Sequence, residues 1–172
     1  MKVIFLDRDG VINHEVGYLY KSKDFRFIDG VFEACKYFRS LGFKVVVVTN
    51  QSGIARGYYQ ETDFHILTKW MLAQFYRRDI DILEVLFCPH GPNSNCKCRK
   101  PKPGMLLEAR DKYGISMAES WMIGDKESDI DAANAAGVEN TILVRSGHSV
   151  HGATSKAKFI LDSINHSTQF IT

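Results

Sequence analysis

Five apolar runs, at residues 3–6, 43–49, 82–88, 120–125 and 141–144, alternate along the chain with stretches whose apolar residues recur at helical spacing. That alternation is the strongest constraint on the fold. Runs of this length dominated by Val, Ile, Leu and Phe read as strands buried on both faces. Parallel strands need crossovers, and the intervening helices supply them. The pattern therefore predicts an α/β fold of three layers, a Rossmann-like parallel sheet flanked by helices, with a sixth strand at 159–161. At 172 residues the chain suits a single domain spanning 1–172.

The helices are marked in more detail. Val31, Ala34, Cys35, Phe38 and Leu41 keep helical spacing, with Asp29 placed as N-cap and Gly42 just past the end. Phe64, Leu67, Trp70, Met71 and Phe75 stripe a helix over about 62–78. Met105 to Tyr113, ended by Gly114, and the alanine-rich Ser128 to Ala136, closed by Gly137, predict two more. Residues 11–27 have no such period, and a polar connection of that length in a compact chain reads as functional.

In parallel sheets, ligands bind at the carboxyl ends of the strands, and here each apolar run ends in a distinct polar group. The first delivers Asp7 and Asp9, which on an extended backbone point to the same side about 6.5 Å apart. Taken alone, the pair reads equally well as turn formers with Arg8 as a salt-bridge partner. The other ends decide it: Thr49 and Asn50 follow the second run, Arg99 and Lys100 the third, and Asp125 and Asp129 the fourth. Three acids near one point favour a hard divalent cation such as Mg²⁺, which typically binds one or two carboxylates together with a substrate phosphate. Thr49 can donate to a phosphoryl oxygen and Lys100 can neutralise its charge. One aspartate could attack phosphorus while the other moves the proton. These roles predict a phosphatase.

Cys88, His90, Cys96 and Cys98 spell C-x-H-x5-C-x-C, three thiols and an imidazole within eleven residues. The spacing predicts a closed, four-coordinate structural Zn²⁺ site in a small loop rich in Pro, Gly and Asn that has no core of its own. The fourth cysteine, Cys35, falls on the apolar stripe of a helix and reads as core. Clustered cysteines of this kind point to a reducing compartment. A net charge of +2 gives no reason to expect a nucleic-acid or anionic-membrane partner. No apolar stretch approaches a membrane span, and the N-terminus enters a strand without a signal-peptide pattern. A cytoplasmic monomer is the expectation.

Asp7-Arg8-Asp9-Gly10, Thr49-Asn50, Lys100 and Gly124-Asp125 with Asp129 resemble, in order, the four signature motifs of the haloacid dehalogenase superfamily of phosphotransferases. The resemblance implies Asp7 as nucleophile, Asp9 as acid and base, and Thr49 and Lys100 as phosphoryl stabilisers. It also implies Mg²⁺ held by Asp7, the Asp9 carbonyl and Asp125, with Asp129 left between orientation of the site and capping of a helix. The segments LDRDGVIN, VVVTNQSGIARG, CPHGP, CKCRKPKPGM and MIGDKESD further resemble the heptose bisphosphate phosphatases of that superfamily. This closer resemblance implies a sugar bisphosphate substrate in nucleotide-activated heptose biosynthesis, leading to lipopolysaccharide or another glycan. It places Glu15, Val16, Gly17, Tyr18, Asn50, Gln51, Ser52, Arg99 and Lys126 against the substrate. No large cap domain fits between the motifs, so small loops must select the sugar. The alternatives are a phosphatase of histidinol phosphate or another small sugar phosphate, a phospho-receiver-type signalling domain, and a zinc-dependent interaction module with a vestigial acid site.

Overall fold

A computed structural model describes residues 1–150 and 154–172. Its strands β1 (Val3–Leu6), β2 (Lys44–Asn50), β3 (Ile82–Cys88), β4 (Trp121–Gly124), β5 (Asn140–Val144) and β6 (Phe159–Leu161) form one sheet in the order β3-β2-β1-β4-β5-β6, each pair parallel. Between them run α1 (Val31–Ser40), α2 (Glu61–Tyr76), α3 (Gly104–Tyr113) and α4 (Glu127–Ala136). The strand order reverses beside β1, where β2 and β3 build out one way and β4 to β6 the other. Such a reversal opens a crevice at the carboxyl ends of the strands.

The two faces of the sheet divide the core by simple alternation. Ile4 and Leu6 of β1, with Val45 and Val47 of β2, pack under α1 and α2 through Ala34, Phe38, Leu67 and Met71. Val3 and Phe5, with Val46 and Val48, pack under α3 and α4 through Met105, Leu106, Ala132 and Ala133. Every side chain of β1 is fully buried. Burying one such side chain contributes about 1.5–3 kcal/mol, so the strand that carries the first acidic pair is also among the most strongly anchored.

Several sequence-based boundaries shift by one or two residues, and three differences have physical causes. Asp29 does not cap α1: the N-cap is Gly30, at φ 81°, with no side-chain cap. A Cβ there would overlap Asn165, so the chain enters the helix through a left-handed glycine that docks the C-terminal segment. That segment, a 3-10 helix at Ile164–Gln169, has no amphipathic period to announce it, yet it buries Ile164 and leads to buried Ile171. Third, β3 is not buried on both faces. It lies at the sheet edge, partly exposed until Cys88, consistent with Glu84 in its middle. The connection from β1 to α1 is folded locally, Asn13 bridging to both Asp9 and Phe27, and holds no separate cap. Among the described residues, no helix is long and apolar enough to cross a membrane.

Candidate active site

Asp7 leaves the end of β1 with its N–H bonded to the Ile123 carbonyl of β4 at 3.0 Å, so the sheet itself sets its position. Its Oδ1 accepts from the Arg8 N–H at 2.8 Å and pairs with Lys100 Nζ at 2.9 Å. Lys100 is buried, and its Nζ also reaches Asp129 Oδ1 at 2.7 Å and the Val48 carbonyl at 2.7 Å. Those contacts use all three ammonium protons. Burial alone would lower the Lys100 pKa, but Asp129 and Asp7 outweigh it and drive it up, keeping the ammonium charged. The Lys100 backbone is fixed by Asn50 at the end of β2, whose Oδ1 accepts from its N–H and whose Nδ2 donates to its carbonyl, both at 3.1 Å.

Asp129 serves both functions that the sequence left open. From the first turn of α4, its Oδ2 accepts from the N–H groups of Asp125 (3.1 Å) and Lys126 (3.0 Å), capping the helix, while Oδ1 holds Lys100. Gly124 is required opposite it, because a Cβ there would overlap the Asp129 side chain.

Asp9 has different neighbours. Arg8, almost completely buried, forks onto its two oxygens at 2.9 and 3.0 Å, and Asn13 Nδ2 and Gln51 Nε2 donate at 3.0 and 3.1 Å. Arg8 does pair with an acid, as the turn-former reading supposes, but the pair lies inside the site. Gln51 also donates to Thr49 Oγ1 at 2.9 Å, linking the ends of β1 and β2. The two carboxyls consequently diverge. Burial raises that of Asp7 well above the carboxylate range; Lys100 opposes this, while the charges of Asp129, Asp125 and Asp9 add to it. Burial pushes Asp9 the same way, but the Arg8 charge and the hydrogen bonds from Asn13, Arg8 and Gln51 outweigh it and hold it below its ordinary value.

Two clusters have the composition of metal sites. Carboxylate oxygens of Asp7, Asp125 and Asp129 lie within 4.8 Å of one another. Asp125 Oδ1 is buried with no hydrogen-bond partner, which is the condition a cation would relieve. Three buried acids with one lysine leave excess negative charge, and a hard divalent ion among oxygen donors fits it. The resemblance implied Asp7, Asp125 and the Asp9 main-chain carbonyl. The Asp9 carboxylate turns to Arg8, which leaves that carbonyl for the expected role, and the carboxylate of Asp129, which the expectation did not include, joins the cluster.

In the second cluster, ligand atoms of Cys88, His90, Cys96 and Cys98 also fall within 4.8 Å. Cys88 Sγ is 3.7 Å from Cys96 Sγ and 2.9 Å from Cys98 Sγ, both beyond the about 2.05 Å of a disulfide. His90 Nδ1 lies 3.5 and 3.3 Å from the sulfurs of Cys88 and Cys98. Three soft donors and an imidazole gathered on a loop fit a four-coordinate zinc ion. Lys102 Nζ donates to the Cys96 carbonyl at 2.6 Å and Arg99 to the His90 carbonyl at 3.2 Å, tying this loop to the segment that carries Lys100.

Above the acids lies a cavity of about 360 Å³ lined by Asp9, Glu15, Gly17, Tyr18, Asn50, Gln51, Ser52, Arg99 and Lys126. All but one of the predicted substrate residues thus meet. The exception is Val16, which points to solvent at 56% exposure and lines none of the described cavities. A neighbouring cavity of about 450 Å³ continues over Arg99, Lys102 and Lys126 beside the cysteine loop. Sequence reasoning missed Arg56, Tyr59 and His148, which also line the first cavity. Arg56 stacks toward Tyr18 at 5.8 Å, and Tyr59 donates to Gln51 Oε1. The missed signal for His148 was positional: it follows β5 at the same edge, where the strand-end rule applied equally.

A parallel sheet with a buried Asp-x-Asp after its central strand, a lysine from a later loop and two acids after β4 defines a haloacid dehalogenase-type hydrolase. In agreement, a HAD-hydrolase-like family model matches residues 97–167. The chain is 47% identical to D-glycero-beta-D-manno-heptose-1,7-bisphosphate 7-phosphatase of Escherichia coli K12, covering 98% of this chain and 92% of that protein. It is 50% identical to D-glycero-alpha-D-manno-heptose-1,7-bisphosphate 7-phosphatase of Campylobacter jejuni, over 83% and 82% respectively. A crystal structure of D,D-heptose 1,7-bisphosphate phosphatase from B. bronchiseptica, complexed with magnesium and phosphate, superposes at TM-score 0.85 with 29% identity over 99% of this chain and 97% of that one. The chain belongs to the D-glycero-D-manno-heptose-1,7-bisphosphate 7-phosphatase family.

Proposed function

We propose that the chain removes the C7 phosphate of D-glycero-D-manno-heptose 1,7-bisphosphate through an aspartyl-phosphate, with Mg²⁺ as cofactor, in the supply of nucleotide-activated heptose. One observation carries the reading. Asp7, braced by Lys100 at 2.9 Å, lines a small pocket that shares Asp9, Glu15, Asn50 and Lys126 with the cavity bearing Arg56 and Arg99, and Arg56, Arg99 and Lys126 have no carboxylate partner among the described residues. A monoester needs charge compensation only at the reacting phosphorus. A bisphosphate also needs cations for the phosphate that is kept, and such cations are most effective when no fixed acid already neutralises them.

Asp7 Oδ1 is occupied by Lys100 and the Arg8 N–H, which leaves Oδ2 to attack phosphorus. The new P–O bond forms as the bond from phosphorus to the C7 oxygen breaks, and Asp9 gives that oxygen its proton. Thr49 Oγ1 accepts from Gln51, so its own O–H is free to donate to the phosphoryl group, while Lys100 offsets the developing charge. In the second half Asp9 takes a proton from water, which attacks the same phosphorus and releases phosphate from Asp7. The Arg8 pair favours ionised Asp9, the form this half needs. When bound by Asp7, Asp125 and the Asp9 carbonyl, Mg²⁺ supplies positive charge that keeps Asp7 ionised and the phosphoryl oxygens compensated.

Zn²⁺ on Cys88, His90, Cys96 and Cys98 orders the loop that positions Arg99 and Lys100, and with four protein ligands it has no open position for chemistry. Glu15, Gly17 and Tyr18 with Arg99 select the sugar from within a single domain of residues 1–172, acting as a monomer in the cytoplasm. Steady-state kinetics on both anomers of the heptose bisphosphate and on histidinol phosphate test the reading. Turnover of one bisphosphate anomer should exceed that of histidinol phosphate at least about tenfold in kcat/KM; the reverse order rejects it.

A further inference from the structure

Asp125 is held in a way that the four motifs do not explain. Its carboxylate is fully buried at the end of β4, and its Oδ2 accepts two hydrogen bonds from one residue, the His148 backbone N–H at 3.0 Å and the His148 ring at Nδ1, 2.6 Å. A Cβ at either Gly10 or Gly147 would overlap the same carboxylate, so backbone closes on it from the turn after β1 and from the turn after β5. Ser146 Oγ locks those two turns together by donating to the Gly10 carbonyl at 2.7 Å. Within this grip only Asp125 Oδ1 is left, buried and without a partner.

We infer that His148 is a positioning residue for the divalent cation. An ionised carboxylate only accepts, so the shared proton sits on Nδ1. The ring then fixes the rotation of the Asp125 carboxylate, committing Oδ2 to His148 and presenting Oδ1 toward Asp7 and Asp129. Without the ring, the backbone N–H alone leaves the carboxylate freer to rotate, and the cation must order it on binding. Partners that orient a metal ligand from behind are typically worth about 10–100-fold in metal affinity. His148 is itself 41% exposed and lies on a turn, so its removal leaves the sheet core intact.

The inference rests on reading the acid cluster as a divalent-cation site, and the experiment separates the two. Mn²⁺ is titrated into zinc-loaded wild type, His148→Ala, His148→Asn and His148→Gln, and free Mn²⁺ is counted by electron paramagnetic resonance, with Mg²⁺ as competitor. Wild type should bind one Mn²⁺, and His148→Ala should bind it about tenfold or more weakly. Asn places its amide nitrogen where Nδ1 stood and should recover most of that loss, whereas Gln, reaching to the Nε2 position, should not. Absence of Mn²⁺ binding to wild type overturns the cation site. Wild-type binding with unchanged affinity in His148→Ala, or with Asn and Gln equally weak, overturns the role of His148. Melting of the metal-free variants within about 2 °C of wild type shows that affinity and not folding has changed, and a larger fall in all three overturns positioning in favour of a structural role.

Discussion

The carboxylate cluster and the thiol cluster sit at the same end of the sheet and are built in opposite ways. Asp7 and Asp125 extend directly from β1 and β4, and Lys100 is clamped by Asn50, Val48, Asp7 and Asp129. Their geometry is a by-product of strand pairing and close packing. Cys88 is the last residue of β3, but His90, Cys96 and Cys98 belong to no helix or strand. Cys96 and Cys98 reach only the edge of the core on the α3 and α4 side, where Cys88 is buried. The first cluster is assembled by strand pairing before any cation enters it, whereas the second gathers its donors mostly from residues outside helices and strands, where a bound zinc ion would supply order that packing does not.

The largest effect should come from the fold-built cluster and should be chemical. Asp7→Asn is expected to lose about 10⁴-fold or more in kcat while keeping a native circular dichroism spectrum; an unfolded variant would break the comparison. Asp9→Asn is expected to lose about 10²–10³-fold in kcat, with phosphoenzyme visible by mass spectrometry after rapid quench. In the loop-built cluster the damage should be structural. Cys96→Ser, or zinc removed by a chelator, should lower the melting temperature by roughly 5–10 °C and expose residues 88–98 to protease, with activity falling as a consequence. Full activity and unchanged melting after zinc removal would erase the distinction between the clusters.

The smallest effect sharpens the contrast within the acid cluster. The Asp7 carboxyl is raised on folding, so what it contributes to stability is present below the unfolded carboxylate range and lost as pH rises through the folded value. Asp9 is lowered, so its contribution is present above that range and lost as pH falls through its folded value. Without divalent cation at pH 7, Asp7→Asn should therefore melt above wild type by roughly 2–4 °C and Asp9→Asn below it. Thermal melts from pH 7 to pH 3 should show both differences shrinking.

Much of this was legible because the relevant residues obey short-range rules. Strand runs and helical stripes fixed the α/β order, and the strand-end rule located Asp7, Thr49, Lys100 and Asp125 at one edge. The failures share a cause, which is contact between residues far apart in sequence. Gly30 opens α1 because Asn165 packs on it, and β3 is an edge because of where the sheet ends. His148 reaches Asp125 across 23 positions. Asn50, which lines the cavity as expected, also has both polar side-chain atoms bonded to the Lys100 backbone 50 residues away, a second role that the sequence reading did not include. No pattern local to Asn50 announces that second role.

The central position of β1 sets a timetable for synthesis. Its acids emerge before the residues they meet in the folded site: Lys100, then Asp125 and Asp129, then His148. At about 5–20 residues per second, a nascent chain carries Asp7 without these partners for several seconds or more. Until β4 has emerged to pair beside it, β1 lacks one of its two neighbours. A chain truncated before residue 121 therefore displays Asp7-Arg8-Asp9-Gly10 in full while lacking the strand beside it and two of the three clustered acids.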